Sequence, residues 1–170
     1  MKRILILIFT MIIFPLFCLG ATPAKWYTMP VNVYIPEHSK APLMKKAFLD
    51  LQNSTGYIKF RFLNEQGARR AHIKVSFVSK CNYENAVGLT YMEEKRNAFK
   101  ENTVKIGLRD IYTNKPYSNE TLYIIMLHEA GHAIGMKHSP NPSDIMYYTL
   151  NPRQKKLTKN DIQQIIYLYK

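Results

Sequence analysis

Residues 128–138 read His128-Glu129-Ala130-Gly131-His132-Ala133-Ile134-Gly135-Met136-Lys137-His138, and this stretch narrows the fold more than any other. A helix advances about 100° per residue, so histidines four apart stand one turn apart on one face and can reach a single ion. Glu129 then lies beside that ion without ligating it. Gly135 can adopt the left-handed conformation that ends a helix, and the turn lets His138 return as a third imidazole. Three neutral nitrogens suit zinc and leave a fourth position for water. Three His, one Glu and the bend Gly at fixed offsets arise by chance in on the order of one chain in 10⁵ of this length, so a buried helix of satisfied histidines is a poor alternative.

His128, Glu129, His132, Gly135 and His138 resemble the metzincin zinc signature, and Ser139 directly after them is similar to the matrixin branch, which includes the matrix metalloproteinases. Further on, Ser143-Asp144-Ile145-Met146-Tyr147 resembles the family's Met-turn. The resemblance implies that Met146 forms a soft, polarizable floor under the histidines rather than a ligand. It also implies an α+β catalytic domain, with a mixed twisted sheet of about five strands and three helices for packing, the active site and the C-terminus.

The chain opens with Met1-Lys2-Arg3, an almost unbroken apolar run from Ile4 to Leu19, and Gly20-Ala21. This pattern describes a signal peptide over residues 1–20, cut after Gly20, and a secreted or periplasmic product. An uncleaved anchor through residues 4–19 is the alternative, although the run falls short of a comfortable span. Loss of Lys2 and Arg3 leaves 22 basic against 12 acidic residues, a net +10. The charges are scattered from Lys25 to Lys170 without a recognition motif, so they point to a solvated surface favouring acidic partners rather than to nucleic acid. With Cys18 removed, Cys81 remains alone, no internal disulfide can form, and the domain relies on its core.

Residues 21–170 suffice for one domain, expected to be a monomer. Val31, Val33 and Ile35 alternate as a strand ended by Pro36, and Ser39 can cap a helix reaching about Gln52 and closed by Gly56. Strands are expected over Tyr57–Phe62, Ala71–Val78, Ala86–Met92 and Thr103–Leu108. His72 reads as surface or structural. Asn119 is expected to cap the active helix, with Glu120 in its first turn. Thr158 and Asp161 mark the start of a last helix whose buried face is Ile162, Ile165, Ile166 and Tyr169.

This order of elements resembles the matrixin catalytic domain, in which the fourth strand edges the cleft. By that resemblance an extended peptide would add against Val87, Gly88, Leu89, Thr90 and Tyr91, and Tyr147 to Pro152 would shape a side-chain pocket. Tyr147 and Tyr148 are read as pocket wall, and Tyr148 as an alternative neighbour of the metal. The departures are equally clear. With the first strand starting about ten residues after the proposed cleavage, no long prodomain is expected, and no Pro-Arg-Cys-Gly type cysteine switch or structural zinc or calcium site is recognised. Cys81 reads as a structural thiol. The expectation is a stripped-down domain of bacterial type holding one catalytic zinc, with Glu129 as general base against a polypeptide substrate. After signal removal it has no stable membrane association. A zinc-holding domain that binds peptides without cutting is the alternative, and intact Glu129 argues against it.

Overall fold

Val31 and Val33, Ile73 and Val75, and Val104 and Ile106 each stand two apart, so the strands that carry them turn apolar side chains to one face of a sheet. The computed structural model describes residues 22–81 and 86–170, so the expected leader over residues 1–20 lies outside the described residues. Strands β1 (Val31–Tyr34), β2 (Phe60–Leu63), β3 (Ile73–Val78), β4 (Gly88–Lys95) and β5 (Ala98–Gly107) make one sheet of order β2-β1-β3-β5-β4. The first four in that order run parallel, and β4 pairs antiparallel with β5 at the edge. Val31, Val33, Ile73, Val75, Val104 and Ile106 point into the core. On the opposite face Lys74 and Glu101 pair across β3 and β5 at 2.7 Å.

Helices α1 (Ala41–Thr55), α2 (Asn119–Ala133) and α3 (Lys159–Tyr169) complete an α+β architecture, with a 3₁₀ turn over Glu65–Arg70. Met44, Ala47, Phe48 and Leu51 of α1 join Leu122, Ile125 and Met126 of α2 in a single apolar cluster over the sheet. His72 is structural, as expected. Its ring stacks on Trp26 at 5.4 Å and its Nδ1 accepts from the Asn32 N–H.

Several local expectations are corrected. Lys40, not Ser39, is the N-cap of α1, and no side chain caps it; Pro42 sits in the first turn, where a missing N–H is harmless. The helix runs on to Thr55, and Gly56 closes it with φ +73°. Ser118, not Asn119, caps α2 by accepting from the Thr121 N–H, and the Asn119 side chain accepts from Lys40 instead. Strand β2 begins at Phe60 and β3 at Ile73, later than expected. Strands β4 and β5 extend further, to meet in a hairpin whose Arg96 and Asn97 both have positive φ, the twist-matching turn of tight hairpins. Along α3 the fully buried positions are Asp161, Ile165 and Leu168, with Ile162, Ile166 and Tyr169 only partly covered. The Asp161 carboxylate is drawn inward by donors described below, which turns the buried stripe.

Candidate metal centre and active site

Helix α2 carries His128 and His132 one turn apart, then stops at Ala133. Gly135 follows with φ +97°, and a Cβ there would stand 2.6 Å from the Ala24 carbonyl oxygen, so the turn demands glycine twice over. The reversal brings His138 back. Nε2 of His132 lies 3.0 Å from Nε2 of both His128 and His138. His128 Nδ1 lies 2.8 Å from the Ile145 carbonyl and His132 Nδ1 lies 2.9 Å from that of Met136. A carbonyl only accepts, so each Nδ1 carries the proton and each Nε2 keeps its lone pair. Burial first, and for His132 the neighbouring His128 next, push both imidazoles down, His132 to about 3.

Lone pairs converging at such short range repel unless a cation lies between them. Neutral, tautomer-locked imidazoles at this spacing therefore fit zinc, which binds each nitrogen at about 2.0–2.1 Å. The three histidines are a group capable of holding one metal ion. Cys81 is outside that group: its thiol is buried against the carbonyls of Val87 and Lys105, and burial raises its pKa.

Glu129 faces the same cleft and is only 5% exposed. Burial raises its carboxyl to about 7, opposed by a hydrogen bond from Thr90, whose Oγ1 stands 2.7 Å from Oε2. Met146 is fully buried beneath the helix, where a Cβ on Gly131 would meet its sulfur at 2.5 Å. The helix thus closes on the methionine because residue 131 has no side chain.

Two buried carboxylates hold the turn that carries Ile145 and Met146. Asp144 accepts from the Ser139 hydroxyl, the Asn160 amide and the Thr158 hydroxyl, each at 2.6 Å. Burial pushes its carboxyl up, but these donors together hold it below the ordinary range. Asp161 accepts from the backbone N–H groups of Ile145, Met146 and Thr158 at 3.0, 3.2 and 2.8 Å. Since the Ile145 carbonyl fixes His128, a chain of hydrogen bonds runs from α3 to the His128 ring.

The C-terminal end of α2 is gripped as well. Ala133 O accepts from Trp26 Nε1 and Asn102 Nδ2, both at 2.9 Å, and Ile134 O accepts from the Tyr169 hydroxyl at 2.7 Å. Helix-end carbonyls have no partner in the helix itself, so these side chains satisfy them.

A cleft of about 610 Å³ runs along the site. Of the residues expected to meet substrate, Val87, Gly88, Leu89, Thr90, Tyr147 and Tyr148 line it. Tyr91 does not; it lies under the Lys105 ammonium, and Met92 lines the cleft in its place. Strand alternation turns Gly88, Thr90 and Met92 one way and Tyr91 the other. Gln154, absent from the sequence expectations, is buried at the cleft wall, where its amide donates to the carbonyls of Pro142 and Asp144. Nothing local in the sequence marks it, nor does it mark the Thr90–Glu129 contact.

This fold and donor set define an α+β domain able to hold one metal ion on three histidines. The Matrixin family model matches residues 22–170, and the chain belongs to that family. It is similar to the macrophage metalloelastase of Rattus norvegicus, 40% identical over 58 residues that cover 32% of this chain and 12% of that protein. Matrix metalloproteinase-26 of Homo sapiens is 36% identical over 80 residues, 43% of this chain and 31% of its own length. A probable matrix metalloproteinase, 095L, of Invertebrate iridescent virus 3 is 34% identical over 59 residues, 35% and 16% of the two chains. The matched segments thus span less than a third of each of these relatives.

Proposed function

We propose that this chain is a secreted endopeptidase holding one catalytic zinc on His128, His132 and His138, with Glu129 as general base. The observation that carries this reading is the convergence of three imidazole nitrogens in a cleft also lined by a buried carboxyl. Zinc there would supply a Lewis acid that polarises water and a peptide carbonyl. Glu129 takes the proton of the attacking water and passes it to the leaving nitrogen. A pKa near the working pH suits both transfers. Among the described residues β4 has a sheet neighbour on one side only, and an extended polypeptide would pair with its other edge along Val87 to Thr90. The rings of Tyr147 and Tyr148 lie 4.4 Å apart, tilted by 47°, and form one wall of the pocket. The apolar run at residues 4–19 behind Lys2 and Arg3 supports export. Among the described residues no helix is long and apolar enough to cross a membrane.

The test is hydrolysis of a mixed peptide library by residues 21–170, with and without a zinc chelator, beside Glu129→Ala. Cleavage should vanish with chelation, and the variant should keep its zinc while losing at least about 10³-fold in kcat/KM. Stoichiometric zinc without any cleavage by the unaltered chain would favour a peptide-binding domain instead.

A further inference from the structure

A glutamate on a helix has three rotatable bonds, so proximity to a metal site does not by itself aim its carboxylate. Here the aim is set from outside the helix, by the edge strand. Gly88 and Thr90 lie two apart in β4 and so face the same way, towards Glu129. A Cβ at Gly88 would stand 2.6 Å from Glu129 Cγ, 2.7 Å from Oε1 and 2.9 Å from Cδ, so the carboxylate occupies the space a side chain would fill. Thr90 Oγ1 closes the other side, 2.7 Å from Oε2 and 3.1 Å from the Glu129 backbone oxygen. A hydroxyl has one proton, and the shorter, charge-assisted contact takes it. Among the described residues Oε1 has no hydrogen-bond partner.

We infer that Thr90 is a positioning residue for Glu129: its hydroxyl ties down Oε2 and leaves Oε1 as the oxygen that meets the water proton. This inference rests on the endopeptidase reading above. It adds that the strand proposed to receive the substrate also fixes the base, so both are placed against one backbone. Lateral movement of β4 would carry the peptide and the carboxylate together.

Thr90→Val keeps the shape and removes the hydroxyl; Thr90→Ser keeps the hydroxyl and removes the methyl. In the purified zinc-loaded protein, Thr90→Val should bind zinc one to one and lower kcat about ten- to hundredfold with KM almost unchanged, the scale of a small misplacement of a reacting group. Thr90→Ser should restore kcat to within a few-fold of the parent. A second readout needs no turnover: in the zinc-free protein the ¹³C resonance of the Glu129 side-chain carboxyl, assigned with Glu129→Gln, should move in Thr90→Val and return in Thr90→Ser. Unchanged kcat with an unmoved resonance in Thr90→Val overturns the assignment. So does Thr90→Ser behaving like Thr90→Val, since the methyl and not the hydroxyl would then matter. If the parent chain cuts nothing, the endopeptidase reading falls, and the resonance alone decides whether Thr90 orients Glu129.

Discussion

Replacing Asp161 by Asn should loosen the metal site from a distance, and the size of the effect follows from three hydrogen bonds. The Asp161 carboxylate is fully buried and receives the N–H groups of Ile145 and Thr158 on one oxygen and that of Met146 on the other. The Thr158 hydroxyl also lies 3.0 Å away, but its single proton points to Asp144 at 2.6 Å. An asparagine of the same shape can accept with one atom only. Its best orientation keeps Ile145 and Thr158 and sets an NH₂ group against the Met146 N–H. One bond to a charged group is lost, worth about 1.5–3 kcal/mol, and two others fall to neutral strength. Burying a neutral amide instead of an ion returns part of this. The net loss is about 2–4 kcal/mol, or about 5–15 °C in Tm for a domain of this size. Because the Ile145 carbonyl holds His128, zinc affinity should fall as well. Thermal melts by circular dichroism with and without chelator, together with competitive zinc titration, read both effects. A Tm within about 1 °C of the parent and an unchanged zinc affinity would show that the buried carboxylate does not support the Met-turn.

Gly135→Ala should cost about 2–4 kcal/mol, from a left-handed residue plus a Cβ forced to 2.6 Å from the Ala24 oxygen. It should also weaken zinc binding, since the turn returns His138; an unshifted melt would refute the argument. In metal-free protein His132 is held at about 3 by burial first and His128 next, against an ordinary value of 6.5. The unfolded chain therefore takes up a proton that the folded chain refuses. Stability is full above about pH 6.5 and declines as pH falls towards 3, by on the order of 1 kcal/mol per unit. Urea midpoints of chelator-treated protein at about pH 7.5 and about pH 5 measure this, and equal midpoints would contradict it.

What the sequence made legible was local chemistry. The histidine spacing, Gly56, the alternation in β1 and β3, and the reciprocal capping of Thr158 and Asp161 each depend on residues within a few positions of one another. Where two neighbours had equal capping ability, as with Ser118 and Asn119, sequence alone could not choose. Tertiary placement decided, since Lys40 engages the Asn119 side chain. The β4–β5 hairpin was read too short because its turn is Arg96-Asn97, without the glycine that usually advertises such a bend. Thr90 and Glu129 are 39 residues apart, and Asp144 gathers donors from Ser139, Thr158 and Asn160. Contacts of this kind come from packing the sheet edge and the last helix around α2, and no spacing rule reports them.

The grip on the end of α2 also sets when the site can come into being. Lys25 pairs with Asn97 and Phe99, its ammonium donates to Leu168 O at 2.8 Å across 143 positions, and Trp26 and Tyr169 fasten the neighbouring carbonyls of Ala133 and Ile134. A chain emerging from synthesis holds one half of this clasp from early on and must wait until α3 is made to supply the other. The turn that delivers His138 is therefore among the last parts to be secured, and a product cut short before α3 lacks the fastening that holds three imidazoles at one point.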